Sequence, residues 1–150
     1  MPETRVSKSL DVNVFTAPRR PNVGERPLQI GPPFGWDPTT ATLIYGEHDA
    51  VLIDTLTTAA EAEALARWVA LHNKNLTTVY ITHGHPDHFL GLPVLLDHFP
   101  EAKAIATPST MELISKTPPE LIQLGRDVAG PAVENRPARG VRCRHLHARG

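Results

Sequence analysis

A single cysteine is too few for an internal disulfide. Cys143 is the one thiol among 150 residues, which fits a reducing cytosol. An excess of one charge is also missing. Fifteen Lys and Arg against 16 Asp and Glu leave a formal net charge of −1, so there is no general pull toward nucleic acid or an anionic membrane. Long apolar runs are absent, and no stretch approaches the roughly 18 apolar residues of a membrane span. The N-terminus lacks the apolar centre of a secretion signal, because Asp11 and Asn13 interrupt Leu10 to Phe15 and a proline-rich segment follows. These absences lead to the expectation of a soluble, cytoplasmic protein. Its length is normal for one domain and sufficient to bury a core.

Chemistry is concentrated in one short run, Thr82-His83-Gly84-His85-Pro86-Asp87-His88. Before it, Thr77-Thr78-Val79-Tyr80-Ile81 is β-branched and aromatic and reads as a strand. After it, Phe89 to Leu96 reads as the start of a helix packed on a core. The histidines therefore fall on a strand-to-helix loop, where open α/β sheets place their ligand sites. Imidazole and carboxylate suit zinc and similar divalent ions. His83 and His85 are two apart, so an extended backbone sends both side chains to one side. Gly84 permits a tight turn between them. Pro86 disfavours the α conformation at His85 and pre-sets the first turn of a helix carrying Asp87 and His88. The run can thus present two ligand pairs, His83 with His85 and Asp87 with His88, aimed at neighbouring points. The bland alternative is a polar loop whose histidines face solvent, which one histidine would favour and four ligand-type residues do not.

Residues 82–88 match the T-H-x-H-x-D-H signature of the metallo-β-lactamase superfamily, and the chain resembles that family over about residues 10–124. Gly91 falls where the family often has a glycine. Ala50-Val51-Leu52-Ile53-Asp54-Thr55 looks like its hydrophobic strand ending in aspartate. The resemblance implies an α/β (α+β) fold, a sandwich of two sheets flanked by helices (αββα), with a dinuclear metal site. It implies zinc, with iron or manganese as alternatives. By resemblance His83 and His85 hold a first metal, Asp87 and His88 a second, and Asp54 braces the site from beneath. The family takes further ligands from its C-terminal half, so residues 1–124 are expected to form only the first half of the sandwich.

The other segments are read in order. Leu10 to Phe15 alternates and predicts a half-buried strand. Pro18 to Pro38 is too rich in proline and glycine for a regular element. It reads as a surface loop, or as a substrate-side flap offering Phe34 and Trp36. Thr40 to Tyr45 and Ala50 to Asp54 predict a hairpin turning at 46–49, with His48 exposed. Ala59 to His72 has helical spacing, with Thr57 and Thr58 as cap candidates. Trp68 is expected at the helix–sheet boundary, and His72 near the helix C-terminus. Leu92 to Phe99 predicts a short helix with His98 as a structural residue at its end. Ala102 to Thr107 predicts a strand, and Met111 to Ser115 a helix that Ser109 can cap. Residues 125–150 change character, with arginines at 126, 136, 139, 142, 144 and 149, no lysine and no clear apolar period. A basic solvated tail, a nucleic-acid arm without stacking aromatics, and a peptide read out of frame from a GC-rich gene are the three readings. His145 and His147 lie between arginines that repel a dication and lack the family's glycine-flanked setting.

The expected function is metal-dependent hydrolysis, in which a metal-bound hydroxide attacks an ester, thioester, lactone, β-lactam or similar small-molecule substrate. Asp87 is the candidate catalytic residue, binding metal and orienting the nucleophile. Because histidine ligates only when neutral, affinity for metal is expected to fall in mild acid. The alternative is a truncated, non-catalytic metal-binding protein lacking the C-terminal ligands. Neither nucleic acid nor membrane is an expected partner. A half-domain would expose apolar faces, so self-association is expected.

Overall fold

Alternating apolar residues build one five-stranded sheet, and a computed structural model describes it within residues 9–18, 20–21, 35–36, 38–120 and 122. Its strands are β1 (Asp11–Thr16), β4 (Thr40–Tyr45), β5 (Asp49–Ile53), β6 (Asn75–Ile81) and β7 (Lys103–Ala106), in the order β1-β4-β5-β6-β7. The pairs β1–β4 and β4–β5 are antiparallel, and β5–β6 and β6–β7 are parallel. The parallel connections run through helices: α1 (Ala59–Ala70) between β5 and β6, and α2 (Pro86–Phe89) and α3 (Leu92–His98) between β6 and β7. A final helix, α4 (Pro108–Ser115), follows β7. This mixed α/β architecture agrees with the expected first half of the sandwich.

Period 2 in the strands and period 3.6 in the helices meet in one core. Register places Leu43, Leu52 and Val79 in one row across β4, β5 and β6. They are fully buried together with Leu65 and Val69 of α1 and Leu95 of α3. Thr58 caps α1 by accepting from the Glu61 N–H at 3.2 Å, while the Glu61 carboxylate accepts from the Thr58 N–H at 3.0 Å. That reciprocal box contributes on the order of 1 kcal/mol. Asn73, at φ 53, closes the helix in the left-handed region. Trp68 stands at the boundary with Phe15, ring centroids 5.6 Å apart, and His98 at the end of α3 ties back to Glu63 of α1 at 2.8 Å.

Three expectations are corrected. β1 is not half-buried: Val12 and Val14 are 58% and 57% exposed, and Asn13, on the core side, is exposed too. As an edge strand it lies beyond the helical cover, and Asn13 bonds Tyr45 Oη and contacts His72 Nε2. The cap of α4 is Thr107, which accepts from the Thr110 N–H at 3.2 Å, and not Ser109. Pro108 lacks an N–H and so fits the first helical position, which moves the start of the helix forward. Within the proline-rich segment a two-residue antiparallel ladder joins β2 (Arg20–Pro21) to β3 (Gly35–Trp36). Phe34, the Trp36 side chain and residues 125–150, with Cys143, His145 and His147, lie outside the described residues.

Candidate metal centre

β6 delivers the histidine run. Ile81 is 2% exposed and anchors the strand end in the core, so the chain leaves the sheet at Thr82. His85 is extended (φ −80, ψ 142) at the N-cap position of α2, with no capping bond from its side chain, and the first residue of the helix is Pro86. This is the restriction a proline imposes on its predecessor. Asp87 and His88 then lie on the single turn of α2, and the buried Phe89 pins that turn to the core.

A second segment supports the loop from below. Directly after β5 the backbone is left-handed at Asp54 (φ 64) and Leu56 (φ 67). For residues other than glycine such conformations cost on the order of 1–3 kcal/mol each. What offsets them is docking. The Thr55 N–H donates to the His88 carbonyl at 2.8 Å, the Thr55 hydroxyl donates to the same oxygen at 3.1 Å, and the Gly91 N–H donates to the Leu56 carbonyl at 3.0 Å. Thr55 and Leu56 are both fully buried. The turn at 54–56 places the Asp54 carboxylate under the histidines. One of its oxygens lies 2.8 Å from His88 Nδ1, and the Thr82 N–H donates to the other at 2.9 Å. The Thr82 hydroxyl donates to the same carboxylate at 2.8 Å.

α4 packs against the loop at Gly84 and Thr82. A side chain on Gly84 would place its Cβ 2.5 Å from Leu113 Cβ, and the Thr110 hydroxyl donates to the Thr82 carbonyl at 3.4 Å. The close approach of α4 thus requires glycine between the first two histidines.

The four ligand-type side chains fall into two pairs. His83 Nε2 and His85 Nδ1 are 3.1 Å apart, and His88 Nε2 and Asp87 Oδ2 are 3.3 Å apart. Two ligands about 2.0–2.1 Å from a tetrahedral zinc are separated by about 3.3 Å, so each pair has the length of one edge of such a site. The pairs are neighbours, with the His83 and His88 ring centroids 4.0 Å apart. The fit is pairwise. Among the described residues no group of three or more His, Cys, Asp or Glu side chains is arranged to hold a metal ion. His48 is exposed in the β4–β5 turn, and His72 is engaged with the Trp68 carbonyl at 2.9 Å.

Two supports were not assigned from sequence. The Thr82 hydroxyl stands between Asp54 and the first histidine, 3.0 Å from His83 Nδ1, and Thr55 carries the backbone of His88. The available signal was a hydroxyl residue at each strand end, which by itself marks only a cap or a turn.

A model of the metallo-beta-lactamase superfamily matches residues 34–136. The chain is 42% identical over 65 residues to an (R)-specific secondary-alkylsulfatase of Pseudomonas sp, a match covering 42% of this chain and 10% of that protein. It is 34% identical over 64 residues to a hydroxyacylglutathione hydrolase of Francisella tularensis subsp. novicida, covering 43% of this chain and 24% of that one. These matches span from a tenth to a quarter of the length of the curated relatives. Among solved structures, VMB-1 superposes with a TM-score of 0.52 at 23% identity, over 73% of this chain and 48% of that chain. DIM-1 metallo-beta-lactamase gives the same TM-score of 0.52 at 20% identity, over 71% of this chain and 47% of its own. At these identities the structural likeness speaks for the fold alone, while the family match spans more than half of the chain, histidine loop included: this chain belongs to the metallo-beta-lactamase superfamily.

Proposed function

We propose that this chain carries the metal-binding half of a zinc-dependent hydrolase acting on a small-molecule ester, thioester, lactone, β-lactam or sulfate ester. The observation that carries the reading is the pairing of donors at the length of a zinc-site edge, His83 with His85 and Asp87 with His88. The first pair would hold one ion and the second pair another. Asp54 orients the His88 ring through its Nδ1, and this kind of outer carboxylate fixes ring orientation in metal–histidine sites. Asp87, on the first turn of α2 and partly exposed, would bind metal and accept a hydrogen bond from the attacking water. Bound zinc would supply Lewis acidity and lower the pKa of a water to about 7. The named relatives, one an alkylsulfatase and the other a hydroxyacylglutathione hydrolase, support a hydrolytic reaction on an ester-like bond. We also infer a cytoplasmic setting, from the lone cysteine. Among the described residues no helix is long and apolar enough to cross a membrane.

A second reading is a metal-binding chain without catalysis. It is favoured by the absence, among the described residues, of a third converging ligand for either pair. Elemental analysis of the purified chain beside a His83→Ala, His85→Ala double variant separates the two. About two zinc ions per chain, lost in the variant, together with ester or thioester hydrolysis, supports the hydrolase. One weakly held ion without turnover supports the second reading. No metal in the wild type would overturn both.

A further inference from the structure

We propose that Thr82 is a positioning residue: its hydroxyl relays the influence of Asp54 to His83, so that one buried carboxylate sets the protonated nitrogen of two imidazoles in the loop.

The inference follows from counting protons. The Asp54 carboxylate can only accept hydrogen bonds. It is 6% exposed, and its partners are the Thr82 N–H, the Thr82 hydroxyl and His88 Nδ1. The contact at 2.8 Å between the Thr82 hydroxyl and Asp54 Oδ2 brings two oxygens together, so a proton must lie between them, and the hydroxyl has one to give. Once that proton points at Asp54, the hydroxyl can only accept at its other contact. That contact is His83 Nδ1 at 3.0 Å. His83 must therefore carry its proton on Nδ1. A neutral His83 then has a bare Nε2, and it is this atom that faces His85 Nδ1 at 3.1 Å.

The same carboxylate acts directly on His88. Its Nδ1, 2.8 Å from Asp54 Oδ2, carries the proton, which leaves Nε2 bare and facing Asp87 Oδ2 at 3.3 Å. The hydrogen-bond chain reads His83 Nδ1–H to Thr82 Oγ1–H to Asp54, met from the other side by His88 Nδ1–H. In both rings Nε2 is the nitrogen that meets a neighbouring ligand-type side chain, His85 for His83 and Asp87 for His88. A valine at position 82 would match threonine in shape and keep the backbone N–H bond to Asp54, but would cut the chain at its middle.

The functional meaning of the relay rests on the metal-site reading above; its existence does not. The test is a long-range proton–nitrogen NMR spectrum of the ¹⁵N-labelled, metal-free chain at about pH 8, where an unperturbed imidazole is neutral. A His83→Gln variant assigns the His83 signals. In the wild type both His83 and His88 are expected as Nδ1–H tautomers. In Thr82→Val the His83 ring should lose that preference and take up Nε2–H, while His88 keeps Nδ1–H and so reports an intact loop. Thr82→Ser retains the hydroxyl and should keep the wild-type tautomer at His83. An Nε2–H tautomer at His83 in the wild type or in Thr82→Ser overturns the proposal. So does an unchanged Nδ1–H at His83 in Thr82→Val. Zinc titration of the same wild-type sample distinguishes the two readings: correct tautomers with no zinc uptake would leave the relay standing and remove the metal-site reading.

Discussion

His88 Nδ1 and Asp54 Oδ2 meet at 2.8 Å across 34 positions of sequence. One lies on the turn that ends the histidine run and the other at the end of the neighbouring strand. The pair ties the loop to the sheet beside the Thr55 and Leu56 backbone bonds, and the buried Asp54 carboxylate meets Thr82 and His88.

On the proposed metal-site reading, replacing Asp54 should act on stability and on metal binding together. Asp54→Ala leaves the Thr82 N–H and the His88 ring without their acceptor, and hydrogen bonds to charged groups contribute about 1.5–3 kcal/mol. Alanine also tolerates the φ of 64 less well than aspartate or asparagine, which adds roughly 1–2 kcal/mol. Asp54→Asn keeps an acceptor oxygen and the tolerance for that backbone, so its stability loss should be the smaller. Zinc affinity should fall about 10–100-fold in either variant, the usual cost of losing an outer carboxylate. Urea denaturation of the metal-free chain and zinc competition against a chromophoric chelator read the two effects separately. Wild-type zinc affinity in both variants would show that Asp54 is structural only.

Much of the framework is legible from local pattern. Alternation in Thr40–Tyr45 and Asp49–Ile53 gives the hairpin, and the spacing of Ala62, Leu65, Ala66 and Val69 gives α1 with its buried stripe. Pro86 constrains His85 through purely local sterics, and the two donor pairs follow from it. What local pattern does not carry is contact at a distance. No periodicity links Thr82 or His88 to Asp54, and only the family resemblance brought Asp54 to the site. The exposure of β1 is a property of its surroundings: Val12 and Val14 alternate as a half-buried strand would, but they lie on the face opposite the Leu43, Leu52 and Val79 row that packs against the helices, and Asn13, on the helix side, is exposed at the sheet edge. The left-handed Leu56 is likewise invisible in sequence, since leucine rarely adopts that backbone and is held there by its own burial and by the Gly91 N–H.

The two glycines flanking the site should respond unequally to alanine. At Gly91 the added Cβ would lie 2.0 Å from the Thr55 carbonyl oxygen and 2.8 Å from Ala62 Cβ. Neither neighbour can swing away: the first is backbone inside the 54–56 turn, and the second is in the buried stripe of α1. At Gly84 the nearest atom is Leu113 Cβ at 2.5 Å, on α4, whose Leu113 is 56% exposed. α4 is held by the buried Thr110 and by Ile114 against the core, fewer anchors than the buried 54–56 turn has, so it should yield more. Overpacking in a fixed core costs typically about 1–3 kcal/mol. Gly91→Ala should lie at or above the top of that range and Gly84→Ala below it, as read by the shift in urea midpoint at unchanged slope. Equal destabilisation would mean that α4 is held as rigidly as the 54–56 turn.

The uncovered face of the sheet sets the last prediction. Register puts Val12, Ile44 and Val51 in one row, and Val14, Ile53 and Ile105 on the same side in the next. The β1 members are more than half exposed, and Ile44, Val51 and Ile53 are only partly buried. A contiguous apolar surface on a sheet that ends in an edge strand invites pairing with another copy of the chain, face to face or edge to edge. Sedimentation velocity over a range of concentrations should show self-association of the wild type. Val12→Lys with Val14→Lys should shift the chain toward monomer, because two charges on the edge strand oppose both modes of pairing. Both side chains are exposed, so the substitutions should change stability by no more than about 0.5 kcal/mol each. That separates loss of association from loss of fold. A wild type that sediments as a monomer at every concentration would mean that this face is already covered within one chain.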